Sequence, residues 1–181
     1  MSWFNIDGFK NRLSYFDEDT VVIEATSRDK EHWYNIMIDK NDLKRIVERY
    51  SSISVAVYRE GNFYAVGTIK GQNNKHERVH RFIINCPKGY QVDHINHDTL
   101  NNKKSNLRIA THSQNQQNRK NAQNNSKTEI RGVRWFEKRK KWAVHVSRNK
   151  RRYYFGYYDD KQEAAEIARL ARKALQPYSN N

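Results

Sequence analysis

The sequence predicts an α+β fold in three parts: an N-terminal mixed α/β segment, a small strand–loop–strand–helix unit, and a C-terminal three-stranded antiparallel sheet packed on one helix. Three observations predict it. Apolar residues alternate with polar ones in several short runs, which is typical of half-buried strands. Apolar residues recur at helical spacing in two places only. A polar stretch with almost nothing to bury interrupts the chain. The predicted boundaries are 1–70, 71–118, a linker at 119–128, and 129–177.

The first segment, 1–70, contains signals for one helix and for a hairpin. Asn41 is a candidate cap for a short helix whose apolar residues recur at helical spacing as far as Tyr50. Two alternating runs, 53–57 and 63–67, flank Glu60-Gly61-Asn62. A short polar sequence containing glycine between two alternating runs predicts a hairpin turn.

The second segment, 71–118, is rich in Asn and His. A short strand at 90–92 runs into an Asp-His pair at 93–94, and a strongly polar loop follows at 96–105. Residues 106–111 alternate as a second strand, and residues 112–119 are predicted to form one or two helical turns.

The third segment, 129–177, contains three strand signals at 130–136, 141–148 and 152–158. A helix is predicted from about Asp160, with an amphipathic stripe that ends before Pro177. This helix can cover one face of the sheet, which leaves Arg and aromatic side chains exposed on the other face.

The charge is concentrated in the later part of the chain. Lys and Arg number 34 and Asp and Glu number 20, so the formal net charge is +14. Residues 1–70 carry a net charge of −1, with 10 basic and 11 acidic residues, whereas residues 71–181 carry +15, with 24 and 9. A clustered basic excess of this kind most often indicates binding to a polyanion, and nucleic acid is the first candidate.

Composition also excludes several classes of protein. One cysteine, Cys86, excludes a disulfide framework and a Cys-rich zinc site. No apolar run approaches the ~18 residues of a membrane span. The sequence therefore predicts a soluble intracellular protein with no membrane partner and no organic cofactor.

Three motifs in the middle segment suggest a family. They are VDHIN at 92–96, NLRIAT at 106–111 and SQNQQN at 113–118. An Asp-His pair is followed by an Asn 12 residues beyond the His and by another Asn nine residues further. Over about 79–119 this arrangement resembles the ββα-metal (His-Me) finger of HNH homing endonucleases, the phage and intron-encoded type.

The resemblance implies roles for four residues. His94 matches the general base, and Asn106 matches the residue that orients its ring. Asp93 and Asn115 match the two metal-ligand positions. An Asn in place of the final His suits an oxygen-liganded Mg²⁺ or Mn²⁺, one ion per finger, rather than zinc.

Other polar residues of this segment are weaker candidates. For Arg108, contact with a DNA phosphate and internal support of the finger are equally weighted. His80, His97 and His112 are each interpreted as structural or surface residues before catalytic ones.

The third segment is similar, over about 129–176, to the ethylene-response-factor (Apetala-type) DNA-binding domain of plants. The matching stretches are RGVRW, KWAVHV and YYFGYY. By that resemblance Arg131, Arg134, Arg152 and Tyr154 match DNA-contacting positions on the exposed sheet face.

Together these features predict a bacteriophage-type, site-directed DNA endonuclease that leaves 5′-phosphate and 3′-hydroxyl ends on double-stranded DNA. It would act in the host cytoplasm if phage-encoded, as a monomer or a DNA-bound dimer. The alternative is a sequence-specific DNA-binding regulator with an inactive finger, and RNA binding is a third possibility. Residues 1–70 are interpreted either as a scaffold or as a further contact with the DNA site.

Overall fold

The chain divides into two compact units, Met1–Thr111 and His112–Asn181, and each contains both strands and helices. The α+β prediction is confirmed. In this computed structural model the residues described are 2–27, 30–58, 62–72, 75–119, 122 and 128–179. Within the described residues, none of the helices has the length and apolar character needed to cross a membrane.

The first unit begins with a four-stranded antiparallel sheet whose strands follow one another in sequence order. One of its two inner strands, Thr20–Thr26, is buried at five of its seven positions, and its apolar residues Val21, Val22 and Ile23 are consecutive rather than alternating. The four strands are β1 (Trp3–Ile6), β2 (Phe9–Tyr15), β3 (Thr20–Thr26) and β4 (Trp33–Asp39).

A helix leads into a second antiparallel sheet of three strands, again in sequence order. The helix predicted from Asn41 begins at Leu43, because Lys40–Asp42 forms a preceding 3-10 turn. The turn predicted at 60–62 lies mostly outside the described residues, but the strands on either side of it pair. The elements are α1 (Leu43–Arg49), β5 (Tyr50–Val57), β6 (Phe63–Ile69) and β7 (His76–Arg78).

The two sheets share one apolar core. Asn11 of β2 connects them: its Nδ2 donates to the carbonyl of Ile53 at 2.7 Å, and its Oδ1 accepts from the Ile53 N–H at 2.7 Å. A short helix, α2 (Val79–Ile83), follows β7 and adds Val79 and Ile83 to the same core.

A two-stranded antiparallel ribbon completes the first unit. It consists of β8 (Gln91–His94) and β9 (Leu107–Ala110). The loop between them lies against the edge of β4, where the Met37 N–H donates to the Leu100 carbonyl and the Asn102 N–H donates to the Met37 carbonyl. The ribbon and the N-terminal sheets are therefore parts of one compact unit, and the boundary between units falls after Thr111, inside the predicted 71–118 segment.

The second unit is a three-stranded antiparallel sheet covered on one face by a helix. Asn149 and Lys150 both have positive φ, which gives the tight turn between its last two strands. The Asp160 side chain accepts from the Glu163 N–H at 2.7 Å and caps the helix. Its elements are α3 (His112–Gln117), β10 (Val133–Phe136), β11 (Lys141–Arg148), β12 (Arg151–Tyr158) and α4 (Lys161–Leu175).

Candidate active site

An ion pair crosses the ribbon at its centre. Asp93 and Arg108 are register partners on β8 and β9, and the Arg108 guanidinium donates to Asp93 Oδ2 at 2.7 Å. Asp93 is 5% exposed, so this carboxylate is held in a fixed place with little water around it. Of the two roles predicted for Arg108, the contact in the structure is the internal one.

His94 is the last residue of β8 and is also buried. Its Nε2 lies 3.3 Å from Oδ1 of Asn102. An amide oxygen can only accept, so Nε2 carries the proton and Nδ1 is the basic nitrogen of the neutral ring. Burial lowers the pKa of His94, although the hydrogen bond that Nε2 donates to Asn102 and the charges of Asp93 and Asp98 oppose that shift. The ring is therefore neutral near pH 7 and can accept a proton.

Asn106 has a different role from the one predicted. Its Oδ1 accepts from the Asn96 N–H at 3.0 Å, and its Nδ2 donates to the Asn101 carbonyl at 2.8 Å. These bonds close the loop between β8 and β9. The prediction that Asn106 orients the His94 ring is corrected: Asn102 makes that contact, because the Asn106 amide is turned into the loop.

Asn102 was missed from the sequence because the loop holds several asparagines and spacing alone does not distinguish them. It is completely buried, and its Nδ2 donates to the Leu100 carbonyl at 3.1 Å. Its backbone N–H is bound to Met37 of the β4 edge. The N-terminal sheet therefore positions the residue that holds the His94 ring.

Two aromatic rings pack around His94. The His80 ring lies 5.1 Å from the His94 ring at 84°, and the Tyr64 ring lies 5.6 Å from His80 and 6.2 Å from His94. Burial, followed by electrostatic interactions with His94, Arg78 and Arg81, lowers the pKa of His80 to about 3. His80 is thus a neutral neighbour of His94 near pH 7, and no motif in the sequence distinguishes it from the other histidines.

Asn115 lies on α3, the first helix of the second unit, and is half-buried. His112 begins that helix and is exposed. Among the described residues no cluster of three or more His, Cys, Asp or Glu side chains could hold a metal ion. The candidate donors are a carboxylate and an amide oxygen, which fit a hard divalent cation that keeps most of its water ligands. A carboxylate offers about four lone-pair sites, so one ion pair does not by itself exclude a cation at the same group.

Three of the four residues predicted to contact DNA share one sheet face. Val144 and Val146 of β11 are buried in the second unit, so the residues between and beside them point the other way. Cross-strand partners share a face. The open-face pairs are Arg134 with Ala143, Tyr154 with His145, and Arg152 with Ser147.

Arg131 is half-buried, unlike the three exposed residues of the open face. Its guanidinium donates to the carbonyl of Gln117 at 3.0 Å and to that of Arg119. Burial and the nearby charge of Arg172 lower the pKa of Arg131 to about 10. The guanidinium binds the backbone after α3 within its own unit, and the predicted DNA contact of Arg131 stays a prediction.

Comparison with known proteins places the ribbon in a known family. Residues 85–117 match the family model described as HNH endonuclease. Protein 3.8 of Escherichia phage T7 is 32% identical over 87 residues, which cover 48% of this chain and 71% of that protein. No solved structure matches the chain. The matched HNH residues end before the C-terminal sheet, so the plant-type resemblance of that sheet has no support from them. The chain therefore belongs to the family of phage T7 Protein 3.8 and carries an HNH endonuclease domain at residues 85–117.

Proposed function

We propose that this protein is a metal-dependent, site-directed DNA endonuclease of the homing type, which hydrolyses one phosphodiester bond per site. The observation that carries the proposal is the pairing of a buried, neutral His94 with a buried Asp93 at the end of one strand. The HNH match covers both residues, and the phage relative agrees with a bacteriophage origin.

His94 acts as the general base. The Asn102 oxygen accepts the Nε2 proton, so Nδ1 is the nitrogen that we propose takes a proton from the attacking water. Release of the 3′ oxygen then leaves a 5′-phosphate and a 3′-hydroxyl end.

By the HNH resemblance, Asp93 and Asn115 are the two residues proposed to supply oxygen ligands to a divalent cation. When bound, Mg²⁺ or Mn²⁺ supplies Lewis-acid stabilisation of the leaving oxygen. The chain's own contribution is to fix the Asp93 carboxylate, which the Arg108 guanidinium does at 2.7 Å.

The second unit supplies affinity for duplex DNA. Arg134, Arg152 and Tyr154 line its open face, and all three are exposed. Arg side chains on a sheet can enter the major groove and bind guanine through two hydrogen bonds.

A nicking assay tests the proposal. Supercoiled plasmid carrying candidate sites is incubated with the full chain and Mg²⁺, and relaxed circles are expected to appear before linear DNA, since one finger acts on one strand. EDTA and His94→Ala are each expected to abolish nicking. Asn102→Ala is expected to lower the nicking rate about 10- to 100-fold, because the ring loses the group that orients it. Asn102→Asp keeps an acceptor and should recover part of the rate.

The matched control is His32→Ala, since His32 is an exposed histidine of the same unit. It should nick at the wild-type rate. Binding of DNA by the wild-type chain without metal-dependent nicking would reject the enzyme and favour the DNA-binding regulator. Competition by duplex RNA at matched salt would reject DNA as the preferred partner.

A further inference from the structure

Arg78, the last residue of β7, holds its guanidinium against two tyrosine rings close to His94. The guanidinium carbon lies 4.6 Å from the Tyr64 ring centroid and 5.2 Å from that of Tyr58. The two rings meet edge to face, 5.8 Å apart at 76°. Tyr64 is also the ring that packs on His94. Arg78 is therefore one side chain removed from the proposed general base, and it lies outside the 85–117 match.

The donors of Arg78 lack acceptors in the described part of the chain. Arg78 is half-buried and its guanidinium lies against the two rings, with no side-chain hydrogen bond or ion pair to any described residue. Every other arginine described in the first unit has an oxygen acceptor. These acceptors are Glu24 for Arg12, Asp42 for Arg45, Glu77 for Arg49, the carbonyls of Cys86, Pro87 and Tyr90 for Arg81, and Asp93 for Arg108.

A guanidinium in this setting suits an anion. Its five N–H donors lie in one plane in a fixed fork, which matches the oxygens of a phosphate. The tyrosine rings orient the plane and limit its hydration, so little ordering is needed when an anion arrives. The carboxylate of the neighbouring Glu77 is not paired with Arg78. Its Oε1 accepts instead from Arg49 and from the Tyr50 hydroxyl.

We infer that Arg78, oriented by Tyr58 and Tyr64, binds a backbone phosphate of the DNA strand that is cut, next to the bond at His94. The first unit would then contact the substrate itself, in addition to supporting the ribbon. The identity of the strand rests on the proposed function; the phosphate contact does not.

The test is DNA binding by the full chain in EDTA, measured by fluorescence anisotropy between about 50 and 200 mM salt. For Arg78→Gln the slope of log K against log salt should become smaller by about 0.9, and affinity at the higher salt should fall about tenfold. Arg78→Lys keeps the charge and should keep the slope. Arg12→Gln is the matched control: Arg12 also stacks on a ring, that of Trp3 at 5.3 Å, but it is paired with Glu24, and it should bind like the wild type.

Each outcome separates the inference from the proposed function. If Arg78→Gln binds with the wild-type slope while its melting temperature changes, the guanidinium only packs on the rings and the inference is overturned, whether or not the wild type nicks. A reduced slope in a protein that never nicks would keep the phosphate contact and reject the enzyme. If Arg78→Gln fails to fold, Tyr58→Ala gives the same test, because Tyr58 is 47% exposed and its loss should leave the fold intact. The affinity of Tyr58→Ala for DNA should fall about threefold if the ring orients Arg78. An unchanged affinity would overturn the inference.

Discussion

His80 shows how one buried side chain sets conditions for its neighbour. It is 3% exposed, its Nδ1 has no hydrogen-bond partner among the described residues, and its ring packs on that of His94. A buried polar atom without a partner costs about 1 to 3 kcal/mol of stability. His80 stays neutral despite that cost in stability. Its ring therefore places no positive charge beside His94 near pH 7.

His80→Phe should therefore raise stability and flatten its dependence on pH. The folded pKa of His80, about 3, lies below the unfolded value of 6.5, so the unfolded chain binds the extra proton between these values. The stability linked to His80 is complete above about pH 6.5 and falls by about 2 kcal/mol by about pH 5. Urea unfolding at the two pH values measures this. His76→Phe, at an exposed histidine of β7, should leave the pH dependence as in the wild type. An equal pH slope in His80→Phe and the wild type would contradict the assignment.

At the scale of elements, the close packing of β5 against β6 requires a glycine at one position of β6. Tyr50 begins β5 and its ring lies across Gly67 of β6, so that a Cβ at Gly67 would come within 2.4 Å of Tyr50 Cδ1. The Tyr50 hydroxyl donates to Glu77 of β7 at 3.0 Å, which holds the ring in place across the whole sheet.

Gly67→Ala should thus destabilise the protein by about 3 kcal/mol, because either the ring or the strand must move. The midpoint of urea unfolding measures the loss. Gly71→Ala is the control, since nothing lies within 4 Å of a Cβ there and only its positive φ opposes the change, at a cost of about 1 kcal/mol. Equal losses for the two variants would show that the Tyr50 contact does not limit the sheet.

The elements also show which features could be predicted from sequence. Alternation located the paired strands β5 and β6, and the predicted 141–148 run is the extent of β11, because period-two patterns are local. The contact of the ribbon loop with Met37 could not be predicted, since it joins residues far apart in sequence through backbone atoms that every residue has. For the same reason Asn106 could not be distinguished from Asn102 as the partner of His94.

For the whole molecule, the basic charge belongs mainly to the second unit. Residues 112–181 contain 17 basic and 6 acidic residues, a net charge of +11, whereas residues 1–111 contain 17 and 14, a net charge of +3. The first unit holds the proposed base and the second holds the open arginine face. Binding and cleavage should therefore respond differently to salt.

The double variant Arg134→Gln/Arg152→Gln tests this separation. Its salt slope for DNA binding should be smaller by about 1.8, from two lost phosphate or base-edge contacts. Nicking at saturating protein and low salt should stay near the wild-type rate, because His94 and Asp93 are unchanged. Arg169→Gln is the control, since Arg169 is paired with Glu166 on α4. If the double variant keeps the wild-type slope, the sheet is not part of the DNA-binding surface.

The contact between the ribbon loop and β4 limits how this nuclease domain can be transferred between proteins. A fragment cut to the motif alone would lose Met37, whose backbone holds Leu100 and Asn102, and would lose the buried apolar partners of Val79 and Ile83. The Asn102 hydrogen bond and the ring contacts of His94 lie in the first unit, residues 1–111. Recombination or engineering that joins this domain to another DNA-binding module should therefore transfer residues 1–111 as one piece.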